Sequence, residues 1–129
     1  MENSLSVSPL YLALLGLIFV PMTMRVGLYR IKNKINLGDG DDAEMLRRIR
    51  GQANFIETVP LAALLIVAMD LMGAGANWLH ALGALLVLGR LLHYVGLTRL
   101  GPFVCRPIGM FATLGVYLVS VAWILVKVL

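Results

Sequence analysis

Four polar residues share one face of a predicted helix just before a long apolar run. They lie at offsets 0, 3, 7 and 10 along the chain and are Arg47, Arg50, Asn54 and Glu57. A helix turning about 100° per residue places such offsets side by side. Because this polar stripe is costly in hydrocarbon, it should face a protein interior or a wet cavity. Guanidinium groups bind carboxylates and Glu57 can bind an ammonium, so the stripe predicts a site for a small zwitterionic or polyanionic molecule.

A second polar set falls where the third predicted helix ends and the fourth begins. Arg90 and His93 are three residues apart, and Arg106 follows sixteen residues after Arg90. A four-helix topology brings this set to the same end of the molecule as the stripe. A simpler reading stays open at this point, in which Glu57 pairs with Arg50 or Arg90 only to neutralise charges at helix ends.

The composition indicates that these residues belong to an integral membrane protein. Of 129 residues 60% are hydrophobic and 14% charged, and the mean hydropathy is +0.87, against about 45–50% apolar residues in soluble domains. One crossing of a bilayer needs about 20 helical residues. The length therefore predicts an all-α, integral membrane four-helix bundle forming one domain over residues 1–129, with helices at about 5–33, 42–72, 77–97 and 106–127.

Details of three elements can be predicted from local patterns. Asp41, with Glu44 three residues later, fits a capping pattern for the second helix. Asp70 falls near the far end of that helix, and we expect it at the membrane interface. Glycines at positions 83, 89 and 96 should allow close approach of the third helix to its neighbours.

The basic residues predict the orientation of the chain. Ten of the eleven Lys and Arg residues lie in or beside the first and third connections, and the second connection has none. By the positive-inside rule these two connections face the cytoplasm and both termini face the opposite side. We therefore expect contact with membrane lipid, and no nucleic-acid binding, since no aromatic-basic module accompanies the charge.

Several classes of chemistry lack the residues they require. One cysteine, Cys105, cannot form an internal disulfide, and no Cys/His cluster has metal-ligand spacing, so we expect no metal. The serines fall far from His93 in this topology, which disfavours a Ser/His/Asp hydrolase. A proton-coupled transporter is disfavoured because the first span carries no acidic residue.

Three motifs resemble those of the MAPEG family, the membrane-associated proteins of eicosanoid and glutathione metabolism. They are Arg-x-x-Arg-x-Gln-x-Asn-x-x-Glu-x-x-Pro over residues 47–60, Gly-Arg-x-x-His over residues 89–93, and Arg106. The resemblance covers the chain from about residue 25 to the end of the fourth helix. It implies a homotrimer with a glutathione pocket between subunits near the cytoplasmic leaflet.

The resemblance also implies roles for individual residues. Arg106 would be catalytic by stabilising the glutathione thiolate, and we expect it to act in the pocket of an adjoining subunit. Glutathione, the co-substrate, would be bound by seven residues: Arg30, Arg50, Gln52, Asn54, Glu57, Arg90 and His93. Thr58 and Leu97 depart from the family pattern, since relatives carry tyrosine at those positions.

The resemblance implies glutathione transferase activity, with peroxidase chemistry as a further expected activity of the same site. The thiolate would attack an apolar electrophile or a lipid hydroperoxide that enters from the bilayer. The alternative within the same fold is a non-catalytic lipid-binding or scaffold protein. Retained lipid binding without glutathione affinity would favour that alternative.

Overall fold

The structure, a computed structural model, describes residues 5–129 and consists of four helices joined by three connections. The helices are α1 (Ser8–Asn33), α2 (Ala43–Leu71), α3 (Ala76–Leu97) and α4 (Cys105–Val128). No strand occurs in this described part of the chain. The bounds differ from the predicted spans by three residues or fewer, and α1 and α2 continue through Pro21 and Pro60 respectively.

The four helices form an all-α bundle, which confirms the predicted fold class. Each helix is long and apolar enough to cross a membrane. Many large apolar side chains on the outside of the bundle are exposed, as expected for surfaces that face lipid. The most extensive packing is between α3 and α4, and α3 contributes most of its length to the interior.

Small residues let α3 approach its neighbours closely, as predicted. A Cβ atom on Gly83 would clash with the ring of Tyr11 from α1. On Gly96 it would stand 3.0 Å from the Cα of Arg106, and closer to the backbone nitrogen of that residue. On Gly89 it would stand 2.9 Å from the Cβ of Ala112. These contacts fix the position of the first turns of α4 against the last turns of α3.

The cap of α2 lies one residue later than predicted. Asp42, rather than Asp41, accepts hydrogen bonds from the backbone N–H groups of Glu44 (2.8 Å) and Met45 (2.9 Å). Asp41 instead adopts a left-handed conformation with φ of 57°, which turns the chain so that its successor enters the helix. The Met45 N–H, together with the Tyr29 hydroxyl and the Glu44 N–H, lowers the pKa of the Asp42 carboxyl.

Asp70 is buried rather than exposed at the interface, because it caps a different helix. Its carboxylate accepts the backbone N–H groups of Ser6, Val7 and Ser8 at 2.8–3.2 Å, and also the Ser6 hydroxyl at 2.8 Å. The first N–H groups of a helix have no partner within the helix. The end of α2 therefore supplies the cap of α1 across 62 or more residues of sequence.

Candidate functional site

Residues from three helices surround two adjoining cavities at one end of the bundle. The cavities have volumes of about 240 and 300 Å³ and share Asn54 of α2, His93 of α3 and Arg106 of α4. Arg50 lines the smaller cavity. These volumes are at or just below the lower end of the range for small-molecule sites, about 300–1,000 Å³. The cavities lie at the end that carries the first and third connections, since α2 and α4 begin there and α3 ends there.

Close packing of α3 on α4 places Arg106 beside His93. A Cβ atom on Gly109 would stand 2.8 Å from the Cα of His93, and closer still to the carbonyl oxygen of Gly89. No residue larger than glycine fits at this position unless the backbone of α3 or α4 moves. One chain therefore brings Arg106 into the same cavities as Asn54 and His93. Arg106 thus lines cavities of its own chain, and its role in the pocket of an adjoining subunit stays a prediction.

Arg90 lies behind the cavities rather than in their lining. Its side chain is only 1% exposed. The guanidinium donates to the Oδ1 of Asn54 at 2.5 Å and lies 3.2 Å from the Nδ1 of His93. A longer contact, 3.5 Å, joins it to the hydroxyl of Thr113. Arg90 thus links α2, α3 and α4 directly beneath the residues that face the cavities.

Glu57 and Arg50 face each other at the surface of α2. Their side chains are 55% and 52% exposed, and the closest nitrogen–oxygen distance is 3.7 Å. This distance is too long for a good hydrogen bond, and exposed pairs contribute about 0–1 kcal/mol. Of the two pairings left open for Glu57, the chain forms the one with Arg50. That contact is weak enough for a ligand to replace it.

The other predicted residues fall into two groups. Arg47 lines the smaller cavity while contacting Glu44 at 3.4 Å. Gln52 and Arg30 point elsewhere within one chain: Gln52 donates to the hydroxyl of Thr23 on α1 at 2.9 Å, and Arg30 donates to the carbonyl of Gly38 at 2.7 Å. The structure of one chain brings neither to the cavities.

The cavities also contain residues that the motifs did not indicate. The larger cavity has an apolar wall of Phe103, Pro107 and Met110. Leu97, one of the two departures from the family pattern, lines the smaller one. Thr113 touches Arg90 from α4. Met110 and Thr113 follow Arg106 by four and seven residues, so helical periodicity places all three on one face. That spacing could have identified them.

A separate apolar groove lies between α1 and α2. Its volume is about 640 Å³, and the residues that line it are all apolar: Leu12, Leu15, Gly16, Phe19, Phe55, Ile56, Val59, Pro60, Ala63, Leu64 and Val67. The groove is large enough for part of a lipid chain. It shares no lining residue with the two polar cavities.

Comparison with known proteins assigns this architecture to a family. The sequence model of the MAPEG family matches residues 8–126, which include all four helices almost completely. The chain belongs to the MAPEG family. The chain is similar to two relatives that are both named "Inner membrane protein YecN", from Escherichia coli strain K12 and from Escherichia coli O6:H1 strain CFT073. Each is 35% identical over 90 residues, which cover 70% of this chain and 69% of the relative.

The family and these relatives agree with the bundle described above. This MAPEG protein is an integral, multi-pass membrane protein. The relatives' name states a location and no activity, so the chemistry has to be argued from the cavities themselves. No solved structure matches the chain. Within residues 5–129, no three His, Cys, Asp or Glu side chains are grouped as they would be around a metal ion.

Proposed function

We propose that this protein is a membrane-bound glutathione transferase. Glutathione would occupy the two adjoining cavities, and its thiolate would attack membrane-soluble electrophiles. The observation that carries this proposal is the convergence of Arg50, Asn54, His93 and Arg106 on cavities with an apolar wall. Polar groups at one side suit a charged tripeptide, while Phe103 and Met110 at the other suit an apolar second substrate.

The cationic side chains explain how the thiol would be activated. A thiol with a pKa near 8.5 is only a few per cent thiolate at neutral pH, and each unit by which a cation lowers it corresponds to about 1.4 kcal/mol. Arg106 is permanently charged and lines both cavities. The resulting thiolate forms a bond to the electrophilic carbon, and the leaving group departs with its electron pair. With a lipid hydroperoxide the thiolate attacks the terminal oxygen, the O–O bond breaks and the lipid leaves as its alcohol. A second glutathione then displaces water from the resulting sulfenic acid, so that the hydroperoxide is reduced and two thiols are oxidised to the disulfide.

We further propose that a homotrimer completes the site at the cytoplasmic face. Gln52 and Arg30 do not face the cavities of their own chain but lie toward α1 and the first connection. In a closed ring each subunit presents such a surface to its neighbour. The glutathione carboxylates would then bind Arg50 of one subunit and Gln52 or Arg30 of the next. The positive-inside bias supports a cytoplasmic position for this end.

Conjugation assays on purified protein test the proposal. Glutathione is added to the detergent-solubilised protein, and thiolate absorbance and conjugation of chlorodinitrobenzene are followed. We expect Arg106→Gln to lower kcat/KM by about 10-fold to 100-fold, since it removes about one to two pKa units of thiolate stabilisation. The matched control is Arg99→Gln, because Arg99 is exposed in the same connection and lines neither cavity. Absence of glutathione binding by the wild type, or equal activity of both variants, would refute the mechanism.

The groove between α1 and α2 favours a second function, non-catalytic binding of lipid. It is entirely apolar and lies apart from the cationic cavities. Under this alternative, the purified protein retains fatty acids and shows no affinity for glutathione. The same titration therefore separates the two functions, and the lipid content of the purified protein can be measured by mass spectrometry.

A further inference from the structure

Arg90 is a buried cation that has only neutral partners in the described structure. Its exposed fraction is 1%, and the ion pairs found within residues 5–129 do not include it. Taking a charge out of water costs several kcal/mol unless other groups compensate. Its neighbours are instead an amide, an imidazole and a hydroxyl, from Asn54, His93 and Thr113. Such an arrangement needs a reason beyond stability.

The guanidinium group dictates which atoms of these neighbours can accept. Arginine has five N–H donors and no acceptor. Hence Asn54 must turn its Oδ1 toward Arg90, which leaves its two N–H donors free. His93 likewise must offer an unprotonated Nδ1, so its proton resides on Nε2. Neither the Nδ2 of Asn54 nor the Nε2 of His93 has a partner within residues 5–129.

We propose that Arg90 is a positioning residue that fixes the hydrogen-bond polarity of the cavities. Asn54 and His93 could each present either a donor or an acceptor to a ligand, and Arg90 makes both of them donors. The guanidinium groups of Arg50 and Arg106 are donors already. The cavities therefore select carboxylate and thiolate groups and reject ammonium groups. An amine of the ligand would have to bind outside them, where half-exposed Glu57 offers an acceptor.

This inference rests on the proposed glutathione site for its ligand, but its first test needs no ligand. The chain contains two histidines, His80 and His93. In protein labelled with ¹⁵N-histidine, the nitrogen chemical shifts report which ring nitrogen carries the proton. A His93→Gln variant assigns the two sets of signals. We expect wild-type His93 to be protonated on Nε2 alone.

Substitution of Arg90 tests its control over His93. Arg90→Lys retains a donor and should keep the proton of His93 on Nε2. Arg90→Met has none, so a population protonated on Nδ1 should appear. His80 is an internal control, because its Nδ1 lies 2.9 Å from the Tyr11 hydroxyl at the other end of the bundle and should not change. A purely structural role for Arg90 predicts no tautomer change in a folded Arg90→Met variant, and that result, or a wild-type proton on Nδ1, would overturn the proposal.

A second variant tests the polarity without disturbing Arg90. Asn54→Asp keeps an acceptor for Arg90, removes both donors that face the cavities and adds a negative charge there, so an anionic ligand loses a hydrogen bond and is repelled. Loss of a hydrogen bond to a charged ligand group should lower glutathione affinity by about 10-fold to 100-fold. Asn77→Asp, the same change at an exposed site in the first turn of α3, should leave affinity unchanged.

The two proposals fail in different ways. If Asn54→Asp binds glutathione as tightly as the wild type, the donor polarity assigned to Asn54 is wrong. If no variant and not even the wild type binds glutathione, the proposed transferase function fails. In that case the tautomer of His93 still decides whether Arg90 sets the polarity of the cavities.

Discussion

The contact between Gly109 and α3 predicts how sensitive the site is to the spacing of two helices. In Gly109→Ala, the added Cβ would stand 2.8 Å from the Cα of His93, whereas ordinary contact begins at 3.4 Å. The deficit, 3.4 less 2.8, is 0.6 Å at this atom, and it is larger at the Gly89 carbonyl and the His93 nitrogen. These are backbone atoms, which cannot rotate out of the way. The helices must therefore separate.

This separation moves Arg106 away from His93, because Arg106 lies one turn before Gly109 on α4. Misplacement of reacting groups by 1 Å can cost about 100-fold in rate. We expect Gly109→Ala to lower kcat/KM for glutathione conjugation by about 10-fold to 100-fold, or about 1.4–2.7 kcal/mol. Overpacking should also destabilise the bundle by about 1–3 kcal/mol, so thermal unfolding is measured alongside conjugation.

Gly115→Ala supplies a matched control on the same helix. A Cβ atom at Gly115 meets nothing within 4 Å, and alanine is a better helix former than glycine by about 1 kcal/mol. This variant should keep wild-type activity and be as stable as the wild type or more so. Full activity of Gly109→Ala would refute the claim that the α3–α4 contact positions Arg106.

Two further predictions concern the helix caps. Asp70→Asn replaces an oxygen acceptor by N–H donors beside the start of α1. It should lower the free energy of unfolding in detergent by about 1–3 kcal/mol. Asp41→Asn is the control, because Asp41 is exposed and its substitution should have little effect. For Asp42, the folded-state pKa lies below the ordinary value of 3.8, so its stabilising contribution is present above that pH and is lost as the pH falls through the folded value. Asn caps helices about as well as Asp. The free energy of unfolding of Asp42→Asn should therefore depend less on pH below about 4 than that of the wild type. The same pH dependence in both proteins would contradict the role of this carboxyl.

Helical periodicity predicted which residues share one face of a helix, because it is a local property. Offsets along α2 identified the face that carries Arg50, Asn54 and Glu57, and α3 and α4 bring His93 and Arg106 to the same end. The family resemblance grouped Arg90 with the residues expected to bind glutathione. It could not show that Arg90 points beneath them, since this depends on where Asn54 and Thr113 lie in the folded bundle.

The remaining differences come from interactions between distant parts of the sequence, or from a single dihedral angle. Asp70 looked interfacial because its partners, the first N–H groups of α1, are more than sixty residues away. The residue that caps α2 is Asp42 and not the predicted Asp41, because the chain adopts left-handed conformations at Gly40 and Asp41. Gln52 lies within the polar motif, yet its side chain reaches Thr23 on α1. Sequence spacing predicts on which face of a helix a residue lies, but not which neighbouring helix that face packs against.

The two ends of the bundle differ in how fully their charges are compensated. At the end where α1 begins and α4 ends, the carboxylate of Asp70 accepts hydrogen bonds from the start of α1, and Tyr11 contacts His80. At the opposite end, Arg106 lines the cavities without a carboxylate partner among residues 5–129, and the Arg50–Glu57 contact is long and half exposed. Unpaired cations repel one another and cost stability. Because the first end anchors α1, α2 and α3 together, the second can keep its donors unpaired, and an anionic ligand is what would compensate them.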